Sequence, residues 1–423
     1  MRWVLVLAAV AACDDAEPPA ADAIAVLAPA APPRIAIQYP TDRIHSPLTP
    51  SVIARLRDVI ASGDGDVDML AKIGDSHTVD REYLKCFATG RVHLGSRLGL
   101  RPTIDHFAAR AFDRTSLAAG KGWAAFHVLG GAPSPPKGRS TVERGALDRE
   151  LDATRPAFAT VMFGTNDIDF ERIDRYGENL LDIVDRLLAR GVVPIVSSIP
   201  RRGDVPSADD WVPRYNAVAR AVAQARQVPF VDLHRALSGL PTRGLNRDKI
   251  HLNTTRGGPC RLDGTGGNNR RNLVTLEALD RLRRAVLDGE AAPDADAPVL
   301  AGSGIVDDPF VIDALPFADV RDTRSIDHRA IDRYACGKPR DTRGADVIYK
   351  IAPRTRTTLR AFVVDRDGID VDLHLLERDP SGASCIARAD RALVAKVDPG
   401  TYYLAVDTFD HKAGEYIVVV TGD

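Results

Sequence analysis

Residues 67–77 read Val67-Asp68-Met69-Leu70-Ala71-Lys72-Ile73-Gly74-Asp75-Ser76-His77. A largely apolar run of strand length ends at a glycine, and a serine stands two residues beyond it. Such a run, closed by turn residues, is the pattern of a buried strand. Ser76 then falls where a tight turn leads from strand into helix, and Gly74 permits the turn. In a parallel sheet this is the rim at which ligands bind, beyond the carboxyl ends of the strands.

The same pattern recurs downstream. Ala157 to Phe163 (AFATVMF) is an apolar run that ends at Gly164. Val192 to Ser197 (VVPIVS) and Val228 to Leu233 (VPFVDL) are two more. Helical patterns lie between them. Arg172 to Arg190 carries Ile173, Leu180, Leu181, Ile183, Val184, Leu187 and Leu188 near spacings of three and four, and Gly191 follows as a stop. Residues 212–226 and 273–287 look similar. Strands alternating with helices predict an α/β fold with a parallel sheet covered by helices on both faces.

Two further strings join the first. Gly164-Thr165-Asn166-Asp167 follows its strand as Gly74-Asp75-Ser76-His77 follows its own, so Ser76 and Asn166 are expected on one rim. Asp248-Lys249-Ile250-His251 lies in a polar loop before the last helical pattern, and that loop can fold back over the rim. Asp248 is close enough in sequence to accept the Nδ1 proton of His251 and to hold the useful tautomer. Taken singly, the strings are a turn, a helix cap and a stretch of surface. Taken together, they supply a hydroxyl nucleophile, an amide donor, a base and the group that orients the base, which are the parts of a serine esterase.

These blocks resemble those of the SGNH (GDSL-like) hydrolases, over about residues 67–288. The resemblance implies a flavodoxin-like three-layer α/β/α fold and an esterase, lipase or carbohydrate deacetylase. It implies Ser76 as nucleophile, with its backbone N–H in the oxyanion hole, and Asn166 as side-chain donor to the oxyanion. It implies His251 as general base and Asp248 as its partner, with no metal or other cofactor. The family's second backbone donor is a glycine between the first and third blocks. Gly122, in Gly120-Lys121-Gly122-Trp123, has a plausible spacing, and Gly138 is the alternative. The first block departs from the family in having His77 after the serine. Contact with substrate and a structural place in the first helical turn are both open to that histidine.

At 423 residues the chain is too long for one ordinary core, so two domains are expected. Hydrophobic residues at 44% and charged residues at 27% are ordinary for a soluble globular protein. The formal net charge of −2 gives no electrostatic case for a nucleic-acid partner or for an anionic membrane surface. Arg2, the apolar run Trp3 to Val10 and the small residues after it have the layout of an export signal over residues 1–13. Val10-Ala11-Ala12-Cys13 resembles a bacterial lipobox, in which Cys13 becomes the acylated first residue. A plain secretion signal that contains a cysteine is the other reading. A Pro/Ala-rich tether follows over residues 14–37. No other segment is apolar enough to cross a bilayer, so membrane attachment is expected through lipid alone.

Residues 38–288 make the expected catalytic domain, 289–306 a linker and 307–423 a second domain. In the last stretch the helical period fades into short β-rich runs at Asp346–Tyr349, Leu359–Val364, Val371–Leu376, Leu393–Val397, Tyr402–Val406 and Tyr416–Val420. Their spacing predicts a β-sandwich. The strings GADVIYKI, DVDLHLL, CIAR, DPGTYYLAVD and AGEYIVVV resemble bacterial pre-peptidase C-terminal domains, which implies an accessory or binding role. An exported chain with four remaining cysteines points to disulfides. Cys336 and Cys385 fall in the second domain and are paired on that ground, leaving Cys86 with Cys260; free buried thiols are the alternative. Gly63 to Asp68 looks faintly like a calcium loop but lacks the distal Glu. Asp365, Asp367, Asp370 and Asp372 are read as solvated turns or as calcium ligands. The Gly-rich stretch Gly257 to Arg271 follows no strand and is expected on the rim near His251.

The expected protein is therefore an exported, lipid-anchored serine esterase or deacetylase acting on a small-molecule or glycan ester. A catalytically silent surface-binding protein and an acyl transferase to sugar hydroxyls are the rivals. Aromatics at 6% offer no obvious stacking platform for a polysaccharide, and no long apolar lid marks a lipase.

Overall fold

The strand expected over 67–73 becomes the first of a parallel four-stranded sheet. The computed structural model describes residues 37–89, 92–130, 145–296, 300–336, 344–366, 368–408 and 412–423. The export signal with Cys13, the tether up to residue 36, Gly138 and Asp367 lie outside the described residues. Strands β1 (Asp66–Gly74), β2 (Pro156–Met162), β3 (Val193–Ser197) and β4 (Phe230–Val231) lie side by side in that order, all parallel. A parallel bridge from Gly74 to Ala119 adds one more segment on the outer side of β1. Counting it, the second segment in sequence lies outside the first, which is the flavodoxin-like order. That second strand has shrunk to a single bridge, so the sequence around it carried no strand signal.

The helices are α1 (Pro50–Ser62), α2 (Ser76–Val79), α3 (Lys85–Ala88), α4 (Arg101–Ala108), α5 (Ala146–Thr154), α6 (Ile173–Ala189), α7 (Pro206–Arg226), α8 (Leu233–Leu237) and α9 (Gly267–Leu282). α5, α6 and α7 cover one face of the sheet and α1, α4 and α9 the other. α6 buries the stripe of Leu180, Leu181, Val184, Leu187 and Leu188 read from its period. α7 starts six residues before the expected 212, with Pro206 in its first turn, where a missing N–H costs nothing. α9 likewise starts at Gly267 and ends at Leu282, where a π-turn takes over to Leu287. The expected fourth strand is cut short at Val231 because Asp232 caps α8, accepting the Arg235 N–H at 2.9 Å. Among the described residues no helix is long and apolar enough to cross a membrane.

The second half is a β-sandwich. One sheet has the order β10-β9-β12-β7-β5 and the other β11-β8-β13-β6. The strands are β5 (Phe310–Ile312), β6 (Phe317–Asp322), β7 (Asp346–Ile351), β8 (Thr357–Asp365), β9 (Val371–Glu377), β10 (Cys385–Ala389), β11 (Ala392–Val397), β12 (Tyr402–Thr408) and β13 (Glu415–Gly422). All pairs are antiparallel except β5 with β7. Tyr349, Val363, Leu373, Leu404 and Val418 meet between the sheets. Cys86 is bonded to Cys260 and Cys336 to Cys385.

The sandwich does not hang from its linker. Ala318, Val320, Phe362, Val364, Ile417 and Val419, on the outer face of the four-stranded sheet, merge with the core of the α/β half. They pack on α6 and α7. Gly177 of α6 makes room: a Cβ there would lie 2.4 Å from Val364 Cγ2. At the edge of this apolar contact Arg226 is wholly buried and grips two carboxylates, Asp185 at 2.5 Å and Glu415 at 2.6 Å. Arg366 also reaches Asp185, at 2.6 Å. The stretch 289–306 is fastened at both ends. Asp294 accepts the Leu48 N–H (2.8 Å) and an Arg43 N–H (2.9 Å), while the Val311 and Ile348 N–H groups reach the carbonyls of Ala301 and Gly304.

Candidate active site

The turn after β1 is built tightly. A Cβ on Gly74 would lie 2.3 Å from Thr78 Oγ1 and 2.6 Å from the Met162 carbonyl, so only glycine fits between β2 and the first turn of α2. Asp75 caps α2, accepting the His77 N–H at 3.0 Å, and is itself buried. Burial raises its carboxyl to about 6, against the pull of the nearby Arg271 guanidinium. Ser76 is thereby fixed at the head of α2. Arg271 of α9 braces the helix from behind: it donates to the His77 carbonyl and to Thr78 Oγ1, and it lies over the Tyr83 ring, 3.6 Å from the centroid.

His251 comes to Ser76 from the far end of the fold. Its Nε2 stands 2.9 Å from Ser76 Oγ, and its Nδ1 stands 2.8 Å from Asp248 Oδ2. The other oxygen of Asp248 accepts the backbone N–H groups of Ile250 and His251, each at 3.0 Å. Desolvation pushes the Asp248 carboxyl up, but the hydrogen bonds from the His251 ring and these two N–H groups outweigh it and hold the group below the usual carboxylate range. An ionised Asp248 can only accept, so Nδ1 of His251 carries the proton. Nε2 then presents its lone pair to the serine hydroxyl. The side chains of His251 and Asp248 are 42% and 45% exposed, so the site is open to water.

The Asn166 block meets the same place from β2. Asn166 Nδ2 donates to the Trp123 carbonyl at 2.9 Å, which ties the block to the segment that carries Gly122. Asp167, next in sequence, is buried and accepts the N–H groups of Ala125 and Gly164, each at 2.9 Å. The Gly120 N–H is taken by the Gly74 carbonyl at 3.1 Å, whereas Gly122 lines the cleft itself. The cleft has a volume of about 720 Å³, and Ser76, Gly122, Asn166 and His251 line it together with Arg81 and Arg202. Arg202 is anchored by the Thr165 carbonyl and by Asp204, at 2.9 Å. The fold thus brings together all of Ser76, Asp248, His251, Asn166 and Gly122.

His77, Asp66 and Asp68 take the structural places open to them, and the expectation for the Gly-rich stretch 257–271 is corrected. His77 is buried beside His251, with ring centroids 5.3 Å apart, and is absent from the cleft wall. Burial, then the charge of Arg271, keeps its ring neutral, so its place is structural. Residues 257–266 do not line the cleft. Leu262 donates to the His93 carbonyl and Cys260 is bonded to Cys86, while Arg271 turns inward. Asp66 and Asp68 of the supposed calcium loop pair with Arg110, at 2.8 and 3.0 Å. Arg271, Arg202 and Asp167 were not read from the sequence. Only Asp167 had a signal there, its place beside Asn166 after an apolar strand.

A parallel α/β sheet with a hydrogen-bonded serine, histidine and aspartate at its rim defines a hydrolase-type site, and the class is that of hydrolases acting on ester bonds. Residues 72–255 match the family described as GDSL-like Lipase/Acylhydrolase, and this span contains all five site residues. No curated protein matches the chain. Among solved structures, a GDSL-like lipase from Bacteroides thetaiotaomicron shares 15% identity, with 54% of this chain and 97% of that one covered and a TM-score of 0.33. An acetyl xylan esterase from Geobacillus stearothermophilus shares 16%, covering 51% and 95%, with a TM-score of 0.34. The pre-peptidase C-terminal domain of a Bacillus anthracis collagenase shares 18%, covering 26% and 92%, with a TM-score of 0.19.

Proposed function

We propose that the chain is an exported serine esterase that removes short acyl groups, O-acetyl groups of glycans foremost, through Ser76, His251 and Asp248. The observation that carries this reading is His251 standing within hydrogen-bond distance of both Ser76 and Asp248. His251 Nε2 takes the Ser76 proton as Oγ attacks the ester carbonyl. Asp248 steadies the imidazolium that forms. The carbonyl oxygen becomes an oxyanion, held by the N–H groups of Ser76 and Gly122 and by the second amide hydrogen of Asn166. One such donor contributes about 3–4 kcal/mol to lowering the barrier. His251 returns its proton to the leaving alcohol. Water, activated by the same ring, then releases the acid.

The surface of the cleft is largely apolar, as suits a short acyl group, and Asp80, Arg81, Lys121, Asp169 and Arg202 on its wall offer hydrogen-bond partners to a hydroxyl-bearing alcohol. Acetyl esters are also the substrates named for a solved structure of similar fold, the acetyl xylan esterase. Export through the leader-like residues 1–13, with lipid attachment at Cys13, agrees with two disulfides, which persist in oxidising compartments. The sandwich is read as an accessory domain.

The test is turnover of p-nitrophenyl acetate and of acetylated xylan by the wild type and by Ser76→Ala, with fluorophosphonate labelling alongside. The expected result is labelling at Ser76 and loss of ester turnover by at least about a thousandfold in a variant that keeps its Tm. Wild-type turnover in Ser76→Ala, or a folded wild type that neither labels nor hydrolyses any acyl ester, overturns the reading.

A further inference from the structure

The outer face of the five-stranded sheet carries chemistry that the cleft does not use. Register places Asp407 of β12 opposite Asp346 of β7 on one side and opposite Asp372 of β9 on the other. Directly opposite residues of antiparallel strands point to the same face, with Cβ atoms about 4.5–5.5 Å apart. Three carboxylates therefore stand in one row across three adjacent strands. All are buried, with exposures of 1% for Asp346, 3% for Asp372 and 1% for Asp407. Like charges placed opposite one another destabilise a sheet, and a buried charge without a partner costs far more.

Only part of the row is satisfied. Asp372 accepts from Arg388. Asp346 Oδ2 accepts the N–H groups of Ala330 (2.7 Å) and Ile331 (2.9 Å). Among the described residues neither oxygen of Asp407 makes a well-formed hydrogen bond, although the buried Tyr334 hydroxyl, itself without one, comes close to it, and nor does Oδ1 of Asp346. Three buried carboxyl groups thus share one guanidinium, two backbone N–H groups and the neighbouring Tyr334 hydroxyl. The segment 328–336 lies over this face. Cys336 bonds it to Cys385 of β10, and the Tyr334 ring stacks on His374, one row further on, with centroids 3.5 Å apart.

We propose that Asp346, Asp372 and Asp407 form a site for one hard divalent cation of the calcium class, which joins three strands to the segment above them. The donors are all carboxylate oxygens, which suit calcium and its tolerance of irregular coordination. The neighbouring Cys336, His374 and Cys385 offer no rival zinc site, since the two sulfurs are bonded to each other. Of the acidic residues first considered for calcium, only Asp372 takes part; Asp365 faces Arg391 at 3.6 Å.

The site shares no residue with the Ser76 cleft, so its test is independent of the esterase reading. The full chain is stripped with EDTA, dialysed, and titrated with CaCl₂ by calorimetry and by thermal unfolding. One calcium per chain and a Tm rise of about 5 °C or more at a hundredfold excess over Kd are expected. Asp407→Asn should lose both responses and keep wild-type p-nitrophenyl acetate turnover. Without metal it should be at least as stable as the wild type, because one of the opposed charges is gone. No heat and no shift with calcium, magnesium or manganese up to about 10 mM, well above the weakest calcium modules, overturns the proposal. So does a calcium response that persists undiminished in Asp407→Asn and Asp346→Asn. A proton shared along the row in place of a cation gives the first of these two results.

Discussion

Asp167 does not line the cleft, yet it aligns two of its walls. One oxygen holds the Ala125 N–H, just past Gly122, and the other holds the Gly164 N–H, just before Asn166. Burial drives its carboxyl up to about 7, although these N–H groups pull the other way. Between the ordinary value of 3.8 and about 7 the folded protein keeps a proton that the unfolded chain has lost. Stability from this group is therefore greatest at low pH, falls as pH rises through that window and levels off above it. Asp167→Asn loses one acceptor but no longer titrates. The wild type should exceed this variant in Tm by a margin that shrinks between pH 5 and pH 8. Thermal melts across that range check this, and a margin that is constant or grows with pH is the contrary result. At this scale the sequence was legible where chemistry and spacing coincide, as for Ser76, His251 and Asp248. Arg271 and Arg202 were not legible, because an arginine reads as surface until the fold buries it.

Among the elements, α6 shows propensity losing to packing. Gly177 sits in the second turn of α6, inside the helix, where alanine is worth about 1 kcal/mol more. A Cβ there meets Val364 Cγ2 at 2.4 Å and Val218 Cγ1 at 3.3 Å. Valine is stiff about χ1 and has little room to yield, and overpacking of this kind costs about 1–3 kcal/mol. Gly177→Ala should therefore destabilise the protein, by about 1 kcal/mol net, despite its better helix propensity. Urea denaturation of Gly177→Ala, with and without Val364→Ala, measures the balance; the second change should recover part of the loss. The 3.6-residue period made α6 legible, and apolar runs made β1, β2 and β3 legible. The early start of α7, the short β4 and the strand reduced to Ala119 were hidden because each is set by a neighbour rather than by a local pattern.

On the scale of the molecule, the composition of 289–306 promised two bodies on a string. The docking of β6, β8 and β13 on α6 and α7 could not be foreseen, because each half supplies only one side of the contact. Glu415→Ala would leave the Arg226 guanidinium buried with one carboxylate fewer, and removing a partner from a buried ion pair typically costs about 3–5 kcal/mol. Calorimetry on that variant should show a large fall in Tm felt by both halves in one transition, whereas a fall confined to one half would mean that they unfold separately. The fastening of 289–306 has its own consequence. Asp294 and Asp296 belong by their contacts to the first half, and Ala301 and Gly304 to the second. A protease that cuts the peptide between them severs a covalent thread that bears little of the load, and the two fragments should remain together as one particle.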